Sequence, residues 1–235
     1  MKKIAIITSL FDYPDHYQPT FYDKAILEVP KEDVHIIRNS GLISSESYYD
    51  KLYHYKIVMV LDYIQKNILG KYEYILFLDA TDTAIMKPLE GIIEKFNNLN
   101  CSVILGAEKG IWPHTTYTHL YSEKRIDSEY KYLNSGTYFG YTEKVAYYLN
   151  DIIEKEYQLG IDDQGKWTIE YLLNDDILID QECEFFFSTY NSKDKIHIGD
   201  NNNVTLESIN AYIVHDNGPH NEETIKLVNN FKKQL

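Results

Sequence analysis

Cysteine is scarce in this sequence, and long apolar runs are absent from it. The two cysteines, Cys101 and Cys183, are far apart and lack the spacing of a metal site, so a reducing compartment is the simpler expectation. The N-terminal stretch MKKIAIITSL begins with two lysines, but Asp12 soon follows and no cleavage site is visible, which predicts a first strand. No window approaches the roughly 18 apolar residues that a membrane helix needs. We therefore expect a cytoplasmic protein with no membrane partner.

Positive charge is also in short supply. The chain has 36 Asp and Glu residues against 23 Lys and Arg residues, a formal net charge of −13. This excess argues against nucleic acid and against anionic membrane surfaces as partners. It also means that a phosphate-bearing ligand would need local positive potential, from a bound cation or from a few placed lysines.

Internal repeats, low-complexity tracts and Pro- or Gly-rich linkers are missing, so residues 1–235 are expected to form a single domain. Apolar runs typical of strands alternate with helical patterns, which predicts an α/β, Rossmann-like domain with a mixed, mainly parallel central sheet flanked by helices. The predicted strands are 3–8, 34–38, 72–79, 102–108, 132–141, 177–180, 184–188 and 211–215. The predicted helices are 48–68, 89–96, 142–157, 162–174 and 221–235.

Two acids follow one of the most apolar strands, in the stretch YILFLDATDTAI at 74–85. In α/β sheets, ligands bind at the carboxyl ends of the strands, and Asp79 lies at such an end. One interpretation is a plain turn, with Asp79 as a capping residue and Asp82 solvated. Another is a site for Mg²⁺ or Mn²⁺, because two carboxylates three residues apart after a tight turn can reach one ion.

A phosphohydrolase of the haloacid-dehalogenase type is a further alternative, since such enzymes also place Asp after an apolar strand. Their second Asp, the acid/base group, comes two residues after the first. Here that position is occupied by Thr81, and Asp82 comes one residue later. The spacing disfavours this class because the two carboxyl groups would not keep the required relative geometry.

Six motifs occur in an order that resembles a known family. They are FLDATD (77–82), GAEKGIWP (106–113), YLNSGTYFGY (132–141), DDQ (162–164), CEFFFS (183–188) and VHDNGPHN (214–221). Together they resemble the glycosyltransferase domain of the procollagen lysyl hydroxylase/glycosyltransferase enzymes and their viral and microbial relatives. The resemblance implies a GT-A-type fold that uses a metal-bound UDP-sugar.

The resemblance also implies the metal ligands, which would be Asp79, Asp82 and His215. An imidazole nitrogen beside two carboxylates favours Mn²⁺ over Mg²⁺. A single His after an apolar strand is more often structural, but the two acids make a ligand role more favourable here.

The donor site implied by the resemblance comprises several further residues. Asn134, Ser135 and Gly136 correspond to the part of the family that lines the sugar pocket, and a glycine inside a strand suits close approach by a ligand. The turn residues Asn217 and Gly218 offer backbone N–H groups to a phosphate. The remaining implied donor contacts are Thr8 with the uridine, Lys56 near the diphosphate, and Thr81, which occupies the place of an aromatic residue in relatives.

The acids of DDQ are the catalytic candidates. Acids at the start of a helix are also explained by the helix dipole. In the resembling enzymes, acids here face the sugar or the acceptor, so Asp162, Asp163 and Gln164 are expected to bind hydroxyl groups, with one acid as general base. The family pattern favours Asp163. Trp112 either stacks on a sugar or nucleotide or closes the core.

The sequence thus predicts a UDP-sugar-dependent hexosyltransferase. It would transfer glucose or galactose from a UDP-sugar to an acceptor hydroxyl on a glycan or a protein side chain, with Mn²⁺ or Mg²⁺ as cofactor. The alternatives are the phosphohydrolase and a non-catalytic relative that binds UDP or a glycan.

Overall fold

The computed structural model describes residues 2–11, 18–19, 30–39, 48–112, 118–124, 127–155, 161–198 and 204–218. Its strands are β1 Lys2–Phe11, β2 Val34–Asn39, β3 Tyr72–Leu78, β4 Thr83–Ile85, β5 Val103–Glu108, β6 Tyr132–Tyr141, β7 Ile177–Ile179, β8 Phe186–Ser188, β9 Ile196–Ile198, β10 Val204–Leu206 and β11 Ile213–His215. Its α-helices are α1 Tyr48–Tyr63, α2 Ile92–Asn97, α3 Thr118–Glu123, α4 Thr142–Glu154 and α5 Asp163–Leu173. A π-helical turn, Ile64–Ile68, continues α1, and 3₁₀ turns occur at Lys31–Asp33 and Lys193–Lys195.

The central sheet, within the described part of the chain, has six strands in the order β2-β1-β3-β6-β5-β7. β1 is parallel to β2 and β3, and β5 is parallel to β7. β6 is antiparallel to both of its neighbours, β3 and β5. The sheet is therefore mixed and mainly parallel, as predicted.

A second, three-stranded sheet has the order β4-β11-β8. β11 is antiparallel to β4 and parallel to β8. In this sheet, β4 closely follows β3 in the sequence, whereas β11 lies near the end of the described chain. Their pairing joins two segments that are distant in sequence.

Two apolar clusters lie on opposite faces of the central sheet. On one face, α1, α4 and α5 pack against each other and against the sheet, where the rings of Phe77 and Tyr138 stack with centroids 4.7 Å apart. The other face is covered by α2 and the second sheet, and there Tyr74 stacks on Phe139 at 5.5 Å. Burying each such ring stabilises the fold by about 1.5–3 kcal/mol.

The differences from the predicted elements concern mostly short segments. The strands β4, β9 and β10 and the helix α3 were not predicted, because three to six residues carry too little periodicity to be read. The predicted helix 221–235 lies outside the described residues. None of the helices in the described ranges is long and apolar enough to cross a bilayer.

Candidate active site

Polar side chains meet at the edge of the central sheet where β3 and β5 end. Asp79 follows β3 directly, and Glu108 is the last residue of β5. β6 runs in the opposite direction, so residues 134–136 near its start lie at the same edge. The register of β6 against β5 is interrupted here, and residues 135–137 bulge out of the pairing. The bulge directs this part of β6 towards the strand ends.

Two carboxylates and one imidazole converge at this edge. β11 pairs with β4 so that His215 is opposite Thr83, and the N–H of Asp216 donates to the carbonyl oxygen of Asp82 at 2.8 Å. His215 Nε2 consequently lies 3.4 Å from Asp82 Oδ2 and 3.9 Å from Asp79 Oδ2. Ligand atoms of these three side chains all lie within 4.8 Å of one another. The structure thus brings together the three residues predicted to hold a metal.

The space between these ligand atoms depends on Gly136. Its carbonyl oxygen accepts a hydrogen bond of 2.8 Å from the N–H of Asp79, so the backbone passes close to the carboxylate. A Cβ atom at this position would lie 2.7 Å from Asp79 Oδ2 and closer still to Cε1 of His215. Only glycine leaves this room. Carboxylate oxygens and one imidazole nitrogen around such a space fit a divalent cation.

Lys56 from α1 is a half-buried positive charge beside the triad. Its Nζ lies 2.9 Å from Asp79 Oδ1 and 2.8 Å from Asp163 Oδ2. Burial acts to lower the pKa of Lys56, but the two carboxylates outweigh it and raise this pKa well above its usual value. Burial likewise acts to lower the pKa of His215, yet the charges of Asp82 and Asp79 raise it overall. Lys56 therefore remains a cation inside the acidic cleft.

The start of α5 presents two acids in different surroundings. Asp162 is the N-cap residue: its Oδ1 accepts from the N–H of Gly165 and its Oδ2 from Trp112 Nε1, both at 2.8 Å. Burial raises the pKa of Asp162, and the hydrogen bonds offset this only in part. Asp163 Oδ2 accepts from Ser135 Oγ at 3.2 Å, in addition to its contact with the lysine. Trp112 is 62% exposed, so it does not close the core.

These side chains surround one cleft of about 480 Å³. The predicted site residues that line it are Lys56, Asp79, Asp82, Asn134, Ser135, Gly136, Asp162, Asp163, Gln164, His215, Asn217 and Gly218. Thr8 and Thr81 do not line it. Thr8 is fully buried in β1, and Thr81 lies in the turn between β3 and β4. The contacts of these two threonines with the nucleotide stay predictions.

Three lining residues were not predicted, Glu108, Ile111 and Tyr190. Glu108 is an acid at the end of a buried strand, and Asp79 is an acid directly after one. The sequence pattern that pointed to Asp79 was therefore also present for Glu108. Tyr190 carried no such signal. A Cβ atom on either Gly110 or Gly218 would collide with the ring of Tyr190; on Gly218 it would lie 2.6 Å from Tyr190 Cδ2. Glycines in two distant loops therefore leave room for this ring.

The fold is that of a glycosyltransferase. A crystal structure of a glycosyltransferase involved in the glycosylation of the major capsid of PBCV-1 is similar to this one, with a TM-score of 0.56. The alignment covers 97% of this chain and 98% of that chain at 14% sequence identity. At this identity the likeness concerns the fold alone, and it confirms the predicted GT-A-like α/β architecture.

The family follows from the sequence match. The model of the PLOD GT domain matches residues 53–235, so the chain belongs to this family, which confirms the resemblance carried by the six motifs. Uncharacterized protein R699 of Acanthamoeba polyphaga mimivirus is 29% identical over 170 residues, covering 70% of this chain and 34% of that protein. Procollagen-lysine,2-oxoglutarate 5-dioxygenase of Drosophila melanogaster is 28% identical over 156 residues, covering 61% of this chain and 21% of that protein. The match thus spans about a third and a fifth of these longer relatives.

Proposed function

We propose that the protein is a metal-dependent glycosyltransferase that transfers a hexose, glucose or galactose, from a UDP-sugar to an acceptor hydroxyl on a glycan or a protein side chain. The observation that carries this proposal is the convergence of Asp79, Asp82 and His215 in the cleft of a PLOD GT domain family member. Their donor atoms suit Mn²⁺, with Mg²⁺ as the alternative.

The charges of the cleft support a role for a cation. The chain has a net charge of −13, and Lys56 is already paired with Asp79 and Asp163. A UDP diphosphate entering this cleft would otherwise meet carboxylates. A divalent cation held by Asp79, Asp82 and His215 would supply the positive charge that binds the diphosphate and stabilises the leaving UDP.

Other residues of the cleft would bind and orient the two substrates. The segment Asn134–Gly136, at the start of the bulge in β6, and the turn at Asn217–Gly218 flank the triad and are the proposed contacts of the donor. Asp162, Asp163 and Gln164 line the cleft at the start of α5, where they are proposed to accept from or donate to sugar and acceptor hydroxyls. One of the two acids would take the proton of the attacking hydroxyl.

Metal removal tests the proposal directly. UDP release from UDP-glucose or UDP-galactose is expected in the presence of Mn²⁺, to stop with EDTA, and to return when Mn²⁺ is restored. Asp82→Ala removes one of three protein ligands, and we expect it to lower kcat/KM by at least about 10-fold. A protein that releases UDP from neither sugar with Mn²⁺ present would contradict the enzymatic proposal.

The same measurements separate the alternatives. UDP binding in a thermal-shift assay without turnover would identify a non-catalytic relative. Turnover of p-nitrophenyl phosphate with Mg²⁺ would support a phosphohydrolase. The family to which the chain belongs gives the phosphohydrolase no support. That class also needs an acid at the position of Thr81, and this residue is neither an acid nor part of the cleft lining.

Tryptophan fluorescence provides a second test, which reports on where the donor binds. The chain has two tryptophans, of which Trp112 is 62% exposed at the cleft and Trp167 is 2% exposed in the core. Adding UDP-sugar with Mn²⁺ is expected to shift the emission to shorter wavelength, because the ring of Trp112 leaves water. Trp112→Phe should abolish the shift. A shift of equal size in this variant would show that the donor does not cover Trp112.

A further inference from the structure

Glu108 is a buried acceptor shared by three amide side chains. It is 4% exposed at the end of β5. Its Oε1 accepts from Gln164 Nε2 at 2.8 Å and from Asn134 Nδ2 at 3.4 Å, and its Oε2 accepts from Asn217 Nδ2 at 2.6 Å. In all three contacts the amide turns its NH₂ group towards Glu108, whose carboxyl oxygens are the acceptors.

The orientation of each amide places its carbonyl oxygen on a donor. Asn134 Oδ1 accepts from the N–H of Gly136 at 3.0 Å and faces His215 Nδ1 at 2.9 Å. Gln164 Oε1 accepts from the N–H of Ser135 at 3.3 Å. Asn217 Oδ1 accepts from the N–H of Tyr190 at 3.1 Å in the same way. The orientations of all three amides are thus explained by one shared acceptor, the carboxyl group of Glu108.

The amide of Asn134 decides which nitrogen of His215 carries the proton. Since Asn134 Oδ1 is an acceptor, Nδ1 of the imidazole must be the donor. In the neutral imidazole, Nε2 is then the nitrogen with the lone pair, and it lies 3.4 Å from Asp82 Oδ2 and 3.9 Å from Asp79 Oδ2. A flipped Asn134 would present its NH₂ group to Nδ1 and favour the tautomer with the proton on Nε2.

We propose that Glu108 is a positioning residue that fixes the His215 tautomer through Asn134, so that Nε2 is available as a metal ligand. The inference rests on the proposed function in that Nε2 is taken to bind the cation. Groups that orient a ligating histidine through its other nitrogen are typical of metal sites. Here the chain of contacts runs from a carboxylate through an amide to the imidazole.

The variant Glu108→Gln tests the proposal with little change of shape. The substituted amide has one carbonyl oxygen for three NH₂ groups, and its own NH₂ would oppose one of them. We expect Mn²⁺ affinity, measured from the EPR signal of free Mn²⁺, to fall by about 10- to 100-fold. Glu170→Gln is the matched control: Glu170 is fully buried in α5, its carboxylate accepts from Lys155 Nζ and Asn174 Nδ2, and it is not among the residues that line the cleft. Its Mn²⁺ affinity should equal that of the wild type.

A double-mutant cycle with Asn134→Ala separates the relay from a general structural role. If Glu108 acts through Asn134, Glu108→Gln should cause no further loss of Mn²⁺ affinity in the Asn134→Ala background. Losses that multiply in the double variant would overturn the relay. If Glu108→Gln does not fold, Asn134→Ala alone decides: the inference requires a loss of affinity, and unchanged affinity overturns it.

The two proposals fail in different ways. A wild-type protein that binds Mn²⁺, together with a Glu108→Gln variant that binds it equally well, overturns the role of Glu108 and leaves the proposed function intact. A wild-type protein that binds neither Mn²⁺ nor Mg²⁺ overturns both.

Discussion

Replacing Gly136 with alanine is expected to abolish Mn²⁺ binding and, with it, UDP-sugar turnover. The added methyl group would lie 2.7 Å from Asp79 Oδ2 and even closer to the ring of His215, so two of the three proposed ligands must move at once. Changes that only disturb the support of a metal ligand cost about 10- to 100-fold in affinity, so we expect a loss of more than about 100-fold here. EPR titration with Mn²⁺ and an assay of UDP release would measure it.

Gly140→Ala is the matched control for this prediction. Gly140 lies in the same strand, and a Cβ there would lie 2.7 Å from the carbonyl oxygen of Ser102, outside the cleft. This variant is expected to lose stability but to keep its Mn²⁺ affinity once folded. If the two variants bind Mn²⁺ equally well, the space around Gly136 is not the metal site.

The metal triad shows how far the sequence could lead and where it stopped. Asp79 could be predicted because a run of apolar residues, Tyr74–Leu78, ends immediately before it, and this pattern is local. His215 could not be reached in this way. Its place beside Asp82 depends on the pairing of β11 with β4, and β4 has only three residues, so the motif order of the family was needed.

The residues that were missed depend on contacts between distant segments. Glu108 takes hydrogen bonds from β6, from α5 and from the turn after β11, and no local pattern encodes such a meeting point. Tyr190 is admitted by glycines of two different loops. Conversely, Thr8 matched a family position as the last residue of the predicted strand 3–8, whereas β1 continues to Phe11 and buries Thr8 completely.

Replacing Asp180 with alanine is expected to destabilise the fold strongly. Asp180 is 4% exposed after β7, and its carboxyl group accepts from the backbone N–H groups of Glu184, Phe185 and Phe186 at 3.1, 2.7 and 2.7 Å. Alanine would leave these donors without their acceptor at the start of β8. We expect the free energy of unfolding to fall by about 3 kcal/mol in urea titrations near pH 4, against about 1 kcal/mol for Asp180→Asn, which keeps one acceptor oxygen.

The pH dependence of stability, compared between the wild type and Asp180→Asn, shows whether Asp180 acts as a buried acid or only as a hydrogen-bond acceptor. Burial raises the pKa of Asp180 from 3.8 to about 6, despite the three N–H groups. Because the folded state holds this proton more tightly than the unfolded state, the stability it contributes is present at low pH and is lost as the pH rises through about 6. The wild type should therefore lose about 2 kcal/mol relative to Asp180→Asn between about pH 4 and pH 7. Parallel stability curves would show that Asp180 is already ionised at the lower pH, with its carboxylate stabilised by the backbone of β8.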